Sequence, residues 1–240
     1  MCRKRSKKKL NKKTKGRNDA LDIVSHEFRT PLNLISGYAQ ALKSNTLGEV
    51  TEEQKQALTK IIRQSDNLLY LVNSILDLTR IEAGDLSVQQ EEIPLSEYLR
   101  EMKLNYEMIL DKPLSLRWIV APDLATIVSD KAKLTIILQN LIDNAIKFTD
   151  KGSIQISARR RADRKAVEFE VIDTGVGIPR EALPIVFEKF RQVDSSITRV
   201  HGGVGLGLHI VKGFAEMLGG TVAVKSELNK GSTFTLTLPV

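Results

Sequence analysis

Residues 140–149 read NLIDNAIKFT. Asn140 and Asn144 are four apart, so they share one helical face, and Lys147 lies one turn further on. That face is either an ordinary solvated surface or a ligand surface. In the second reading the amide oxygens suit a hard cation and the lysine adds positive charge for phosphates. Upstream, Asp130 is placed to cap the same helix, which then runs through Phe148. Residues 95–110 have helical character, and LSLRWIV (114–120) and TIVS (126–129) have strand character. SIQISARR (153–160) and AVEFEVID (166–173) form a strand pair around a turn at Ala162–Arg164. Another helix covers about 206–218 and ends at Gly219–Gly220. TVAVKSE (221–227) and STFTLTLPV (232–240) close as a hairpin around Asn229–Lys230–Gly231. This order predicts an α/β sandwich, with helices on one face of a mixed sheet.

The preceding part of the chain has a different rhythm. Leu21, Val24, Phe28, Pro31, Ile35, Tyr38 and Leu42 recur at spacings of three and four, as in a coiled-coil seam. SNTLGEVTEE (44–53) interrupts the pattern. Thr51, with Gln54 three residues later, marks a new helix start. That helix runs to about Ile81 and repeats the rhythm at Leu58, Ile61, Ser65, Leu68, Val72, Ile75 and Thr79, thickened by Ile62, Leu69 and Leu76. Two antiparallel helices cannot bury such stripes alone, whereas a four-helix bundle of two chains would. Residues 17–84 therefore read as a dimerising hairpin ended by Gly84, residues 85–240 as a second domain, and residues 1–16 as a basic leader. The fold class is α+β.

Composition agrees with a folded protein. The 240 residues are 42% hydrophobic and 27% charged, which fits neither a disordered nor a collagen-like chain. No apolar run is long enough to span a bilayer. A single cysteine, Cys2, excludes an intramolecular disulfide framework and a cysteine-rich zinc site. The net charge of +7 is unevenly spread. Ten of the 36 basic residues lie within 1–18, where no acid occurs, which leaves 26 against 29 acidic residues elsewhere. A basic leader can approach anionic lipid, so membrane proximity stays open. No aromatic or apolar face accompanies the charges, so a solvated segment is the plainer reading and no nucleic-acid partner is expected.

Three further segments carry chemistry. HEFRTPL (26–32) places His26 off the apolar seam, next to Glu27, which can orient one imidazole nitrogen and leave the other as nucleophile. Pro31 sits one turn later and weakens the helix there. DTGVGIP (173–179) puts Asp173 at a strand end, where a buried carboxylate can accept from an exocyclic amine. Gly175 and Gly177 allow backbone to approach a flat ligand. HGGVGLGL (201–208) offers glycine amides before a helix, which suit phosphates. Between them FEKFRQVDSSITRV (187–200) reads as a lid anchored by Phe187 and Phe190.

Together these segments resemble the transmitter core of sensor histidine kinases, over about residues 17–240. HEFRTPL is similar to the family's H box, NLIDNAIKFT to its N box, DTGVGI and GGVGLGL to its glycine boxes, FEKF to its F box and GSTFTLTLP to its closing strand. The resemblance implies a phosphoacceptor hairpin followed by a nucleotide-binding domain of the gyrase, heat-shock-90, histidine-kinase and mismatch-repair type. It implies that His26 accepts phosphate, that Glu27 activates it, and that Thr30 serves a regulator-phosphatase reaction. It implies ATP and Mg²⁺ as cofactors, with Asn140 the metal ligand and Asn144 and Lys147 its phosphate-side companions. Phe148 would stack near adenine, Asp173 would accept the adenine amine, and Gly175, Gly177 and Ile178 would shape that wall. Gly203, Gly205, Leu206 and Gly207 would wrap the phosphates, and Thr233 would line the adenine side. Either Lys189 or Arg191 would approach the γ-phosphate; the resemblance leaves the choice open. Val204 departs from the family's frequent Thr or Ser.

The implied activity is ATP-dependent autophosphorylation of a homodimer, in the cytoplasm or on the cytoplasmic part of a membrane-bound sensor. Transfer to an aspartate of a separate response regulator receiver domain would follow, since no receiver-like or sensor region is seen. A nucleotide-gated docking scaffold without catalysis is the alternative.

Overall fold

The computed structural model describes residues 26–83, 86–109, 112–121, 124, 126–161, 165–191 and 205–240. The basic leader, Leu21, Val24, the turn at 162–164, most of the lid, Gly203 and Val204 lie outside the described residues. The chain divides between Leu86 and Ser87 into two compact units.

The first unit holds helix α1, described over 26–43, and α2, Glu52–Ala83. α2 starts with a reciprocal cap. The Gln54 N–H donates to Thr51 Oγ1 at 3.2 Å, and the Thr51 N–H donates to Gln54 Oε1 at 2.7 Å. Two donors that the first turn would leave unpaired are thereby satisfied. Asn45 and Gly48 take positive φ in the turn before it. Leu32, Ser36 and Ala39 are buried on α1; Ser65, Ser74, Leu76 and Leu78 are buried on α2. Phe28, Ile35, Tyr38, Ile61, Leu68 and Ile75 stay exposed. Those six lie on the apolar rhythm read from the sequence, so one hairpin leaves much of its own stripe uncovered.

The second unit is the α/β sandwich. A short sheet pairs β1 (Glu91–Pro94) with β3 (Thr126–Ser129) antiparallel. The main sheet contains β2 (Leu114–Val120), β4 (Gly152–Arg160), β5 (Ala166–Asp173), β6 (Thr221–Glu227) and β7 (Gly231–Pro239), in spatial order β2-β4-β5-β7-β6. β2 pairs with β4 in parallel and every other pair is antiparallel, so the sheet is mixed. Among the described residues the remaining helices are α3 (Leu95–Ile109), α4 (Lys131–Phe148) and α5 (Gly207–Met217), with a 3₁₀ turn at Leu183–Ile185.

α4 lies at the centre of the core. Leu134, Ile137, Leu138, Leu141 and Ile142 recur at helical spacing and are fully buried. Each contributes about 2 kcal/mol by leaving water. α4 packs on α5, β4 and β5. Along β5, Val167, Phe169, Val171 and Asp173 point into this core, while Glu168, Glu170 and Ile172 face the other side of the sheet. That alternation of period two brings a carboxylate to the end of an otherwise apolar row.

The start of α4 is fixed by a buried ion pair. Asp130 Oδ1 accepts the Lys133 N–H at 3.0 Å. Its Oδ2 accepts from the Gln89 N–H at 3.0 Å and from Lys133 Nζ at 2.6 Å. Lys133 Nζ also donates to the Ser87 carbonyl at 2.9 Å. Burial alone would raise the Asp130 carboxyl, but these bonds and the Lys133 charge hold it below its ordinary value of 3.8.

A carboxylate depressed in the folded state stabilises the fold above its unfolded pKa, and that contribution disappears as pH falls through the folded value. Asp130→Asn keeps one capping acceptor, removes the Oδ2 acceptor and leaves a buried ammonium unpaired. Urea unfolding should show a loss of about 3 kcal/mol at neutral pH. The gap to the parent should narrow as pH falls below the ordinary value of 3.8 and close only beneath the lowered folded value, where the folded parent protonates too.

Candidate functional site

On α1, His26, Glu27, Arg29 and Thr30 are exposed. The helix is unbroken through Pro31, whose missing N–H leaves the Glu27 carbonyl without its helical donor. The Thr30 hydroxyl donates to the His26 carbonyl at 3.1 Å, the local bond that a helical threonine commonly makes. The hydroxyl keeps its acceptor lone pairs. His26 and Glu27 thus stand on open helix surface.

In the second unit, the last two turns of α4 present Asn140, Asn144, Lys147 and Phe148, all half-buried. Asn140 Nδ2 donates to the Ile136 carbonyl at 2.8 Å, which makes Oδ1 the atom a cation would take. Lys147 Nζ sits 4.8 Å from the centre of the Phe148 ring. Burial pushes the Lys147 ammonium below the ordinary lysine range. An ammonium held this way gains from any anion brought beside it.

Asp173 ends β5 and is buried. Desolvation pushes its carboxyl up, while bonds from the Gly175 N–H, at 2.8 Å, and from the Ser232 backbone and hydroxyl act in the opposite direction. Ser232 lies directly across from Asp173 on β7. Thr233 does not line this side. It stands opposite Ile172 and Lys225, so it projects from the other face of the sheet. The hydroxyl beside Asp173 is that of Ser232, which the sequence reading passed over. Counting alternate positions back from the buried Phe234 would have found it.

The loop after Asp173 is held on both sides. The Val176 N–H donates to the Phe148 carbonyl at 3.2 Å, at the end of α4. The Ile178 N–H donates to Ser226 Oγ at 2.7 Å, and the Asn229 N–H donates to the Val176 carbonyl at 2.7 Å. A Cβ on Gly175 would run into the Phe148 carbonyl and come within 2.8 Å of Thr149 Oγ1 and 2.9 Å of Asp173 Oδ1. Gly177 has φ +67°, and a Cβ there would strike the Glu227 carbonyl. This wall is made of backbone because there is no room for side chains.

The described ends of the lid meet. The Phe190 N–H donates to the Gly205 carbonyl at 2.9 Å. Phe187 packs edge-on against Phe234, ring centres 6.5 Å apart, and its carbonyl lies 3.0 Å from His209 Nδ1. Phe187 is therefore a side-chain anchor. Phe190 is not, since its side chain is 58% exposed. It anchors through its backbone instead, in the left-handed region at φ +61°. Leu206 is buried and Gly207 opens α5, so amides at that helix start are available to an anion. Glu188, Lys189, Phe190, Arg191 and His209 line an open cavity of about 570 Å³. Arg191 Nε bonds Glu188 at 3.1 Å.

The glycine-made wall with its buried carboxylate suits a flat base bearing an amine, and the α4 cation suits phosphates. No cluster of three or more His, Cys, Asp or Glu side chains able to hold a metal occurs among the described residues. Mg²⁺ that arrives on phosphates keeps several waters and takes few oxygen ligands from the protein, and the Asn140 amide oxygen is one it can use. No described helix is long and apolar enough to cross a membrane.

Comparison with known proteins agrees with this division. Residues 17–84 match the family described as His Kinase A (phospho-acceptor) domain, and residues 129–240 match the Histidine kinase-, DNA gyrase B-, and HSP90-like ATPase family. The chain is 36% identical over 242 residues to the Autoinducer 2 sensor kinase/phosphatase LuxQ of Vibrio parahaemolyticus, covering 98% of this chain and 28% of that protein. It is 37% identical over 235 residues to the Signal transduction histidine-protein kinase BarA of Escherichia coli, covering 95% of this chain and 25% of that protein. The chain thus spans about a quarter of the length of these curated relatives. The solved structure of full-length ShkA in complex with AMPPNP superposes with a TM-score of 0.71 at 34% identity, covering 92% of this chain and 45% of that one. The chain belongs to the sensor histidine kinases and comprises their transmitter core, a helical hairpin followed by an α/β ATPase domain.

Gly177→Ala tests the wall. The variant combines an unfavourable left-handed residue with displacement of the Glu227 carbonyl, so thermal unfolding should show a loss of about 1–3 kcal/mol.

Proposed function

We propose that this chain is an ATP-dependent protein kinase that phosphorylates its own His26 and passes the phosphate to an aspartate of a response regulator. One observation carries this reading. An exposed His–Glu pair on a helical hairpin occurs in the same chain as a base-and-phosphate pocket.

ATP lies with its adenine amine on Asp173, beside Ser232 and against the wall of Gly175, Gly177 and Ile178, with Phe148 at the edge of the base. Its phosphates face Asn144, Lys147 and the amides around Gly205, Leu206 and Gly207. Lys189 or Arg191 supplies a cation toward the γ-phosphate. Asn140 would hold Mg²⁺, and the ion would supply neutralisation of charge on the phosphate oxygens. Transfer needs the γ-phosphorus in line with a ring nitrogen of His26. Glu27 holds the other ring N–H, the free nitrogen forms the N–P bond, and the bond to ADP breaks. Catalysis is positioning and charge stabilisation throughout.

The active form is a homodimer. The uncovered stripe of Phe28, Ile35, Tyr38, Ile61, Leu68 and Ile75 supports this reading, because a second hairpin would bury it. The reaction belongs to the cytoplasm, where ATP and the regulator are present. Thr30 gives a second activity, removal of phosphate from the regulator. Its hydroxyl, one turn from Glu27, can position a water for in-line attack on a phosphoaspartate.

Two variants test the kinase and the phosphatase separately. With γ-labelled ATP, the parent should acquire acid-labile, base-stable label. His26→Gln should acquire none while still binding nucleotide. A parent that binds ATP but never labels would support the docking scaffold instead.

Thr30→Ala should still label, because His26 and Glu27 are untouched. Loss of phosphate from a purified regulator should slow about tenfold, a barrier change of about 1.4 kcal/mol. Equal dephosphorylation by parent and variant would leave Thr30 a structural residue.

A further inference from the structure

Lys112 follows α3 and lies outside every motif read above. Its ammonium reaches across to the end of α4. Nζ donates to the carbonyls of Ile146 at 2.7 Å, Thr149 at 3.2 Å and Lys147 at 3.4 Å, and stands 3.5 Å from Asp150 Oδ1. The last carbonyls of a helix have no intrahelical donor and carry the negative end of its dipole. Lys112 meets both needs with one group. The Phe148 carbonyl, the one Lys112 does not take, accepts the Val176 N–H of the glycine loop. All four carbonyls of 146–149 are thus bonded, three to Lys112 and one to the loop.

We infer that Lys112 is a positioning residue for the nucleotide, acting through the final turn of α4. This rests on the ATP-binding reading of the pocket. The turn that Lys112 ties off carries Lys147 and Phe148, whose side chains face the phosphates and base in that reading. Its Phe148 carbonyl sets where Val176, and with it Gly175, can lie. The hydrogen bonds and ion pair of Lys112 go to backbone carbonyls and to Asp150, not to the proposed ligand-facing side chains. Without it, the carbonyls of 146, 147 and 149 must seek water. The turn then loosens by fraying, and the cation and the loop lose their fixed separation. Misplacement by about 1 Å costs a preorganised site heavily.

A purely structural lysine would behave differently, and Asp130 provides the comparison. It secures the opposite end of the same helix, far along the chain from the ligand-facing turn, so Asp130→Asn destabilises the domain without touching that turn. The experiment is calorimetric titration of AMPPNP with Mg²⁺ into the full chain, well below the unfolding temperature of each variant. Lys112→Met should bind about tenfold more weakly than the parent. Lys112→Arg, which keeps a cation and donors at the helix end, should stay within about threefold. Asp130→Asn should bind as the parent does. Amide exchange gives a second readout, since the Val176 N–H should exchange faster in Lys112→Met than in Asp130→Asn.

Parent-like binding by Lys112→Met would overturn the inference while leaving the pocket intact. Equal weakening by Asp130→Asn would overturn it also, because affinity would then merely follow stability. A parent chain that binds no AMPPNP would overturn the ATP reading itself, and the inference with it.

Discussion

The meeting of the α4 C-terminus with the loop after β5 is the constraint on which the second unit's site depends. That loop packs against the Phe148 carbonyl because position 175 has no side chain; any Cβ there would occupy the space of that oxygen. The close approach fixes the Val176 N–H on Phe148 and the Gly175 N–H on Asp173. One helix end therefore locates both a carboxylate and a cation. The apolar face of α4, buried to its full length between Leu134 and Ala145, keeps that end from sliding. Core packing and site geometry are one problem here, because the same helix serves both.

The hairpin unit follows the opposite logic. Its inner seam is narrow and partly made of small residues, Ser36, Ala39, Ser65 and Ser74. Small residues let two helices lie close but bury little apolar area, so the hairpin contributes modest stability by itself. Leu32, Leu76 and Leu78 join them, but six large side chains, Phe28, Ile35, Tyr38, Ile61, Leu68 and Ile75, stay on the outer surface. On the dimer reading, that surface gains far more on association than the seam gains on hairpin formation. Folding and assembly would then be coupled, and His26 would sit on a scaffold whose order depends on the second chain.

Much of this was legible because the signals were local. The Thr51–Gln54 cap, the Asp130 cap and the strand alternation each involve residues a few positions apart, where periodicity and hydrogen-bond chemistry are strong guides. The sequence reading failed where a choice depended on the third dimension. It named Thr233 for the adenine side, although period-two alternation sends that side chain to the opposite face from Asp173. It named Phe190 as an anchor of the lid but not the means, which is its N–H on the Gly205 carbonyl and not its ring. Lys112 gave no signal at all. Its acceptors lie 34 to 37 residues away and are backbone carbonyls, which have no residue type to recognise.

The two charged groups of the pocket share an energetic feature. Burial raises the Asp173 carboxyl and lowers the Lys147 ammonium, so each is biased toward its neutral form. Neither bias is fully removed by the bonds within the protein. A ligand with an amine at one end and phosphates at the other would relieve both at once. A base alone would relieve only Asp173, and inorganic phosphate only Lys147. The rigid link through Val176 and Phe148 makes the spacing between those two requirements part of the recognition. On the ATP reading, selectivity for a whole nucleotide over its fragments then comes from desolvation that the fold maintains and one ligand can offset.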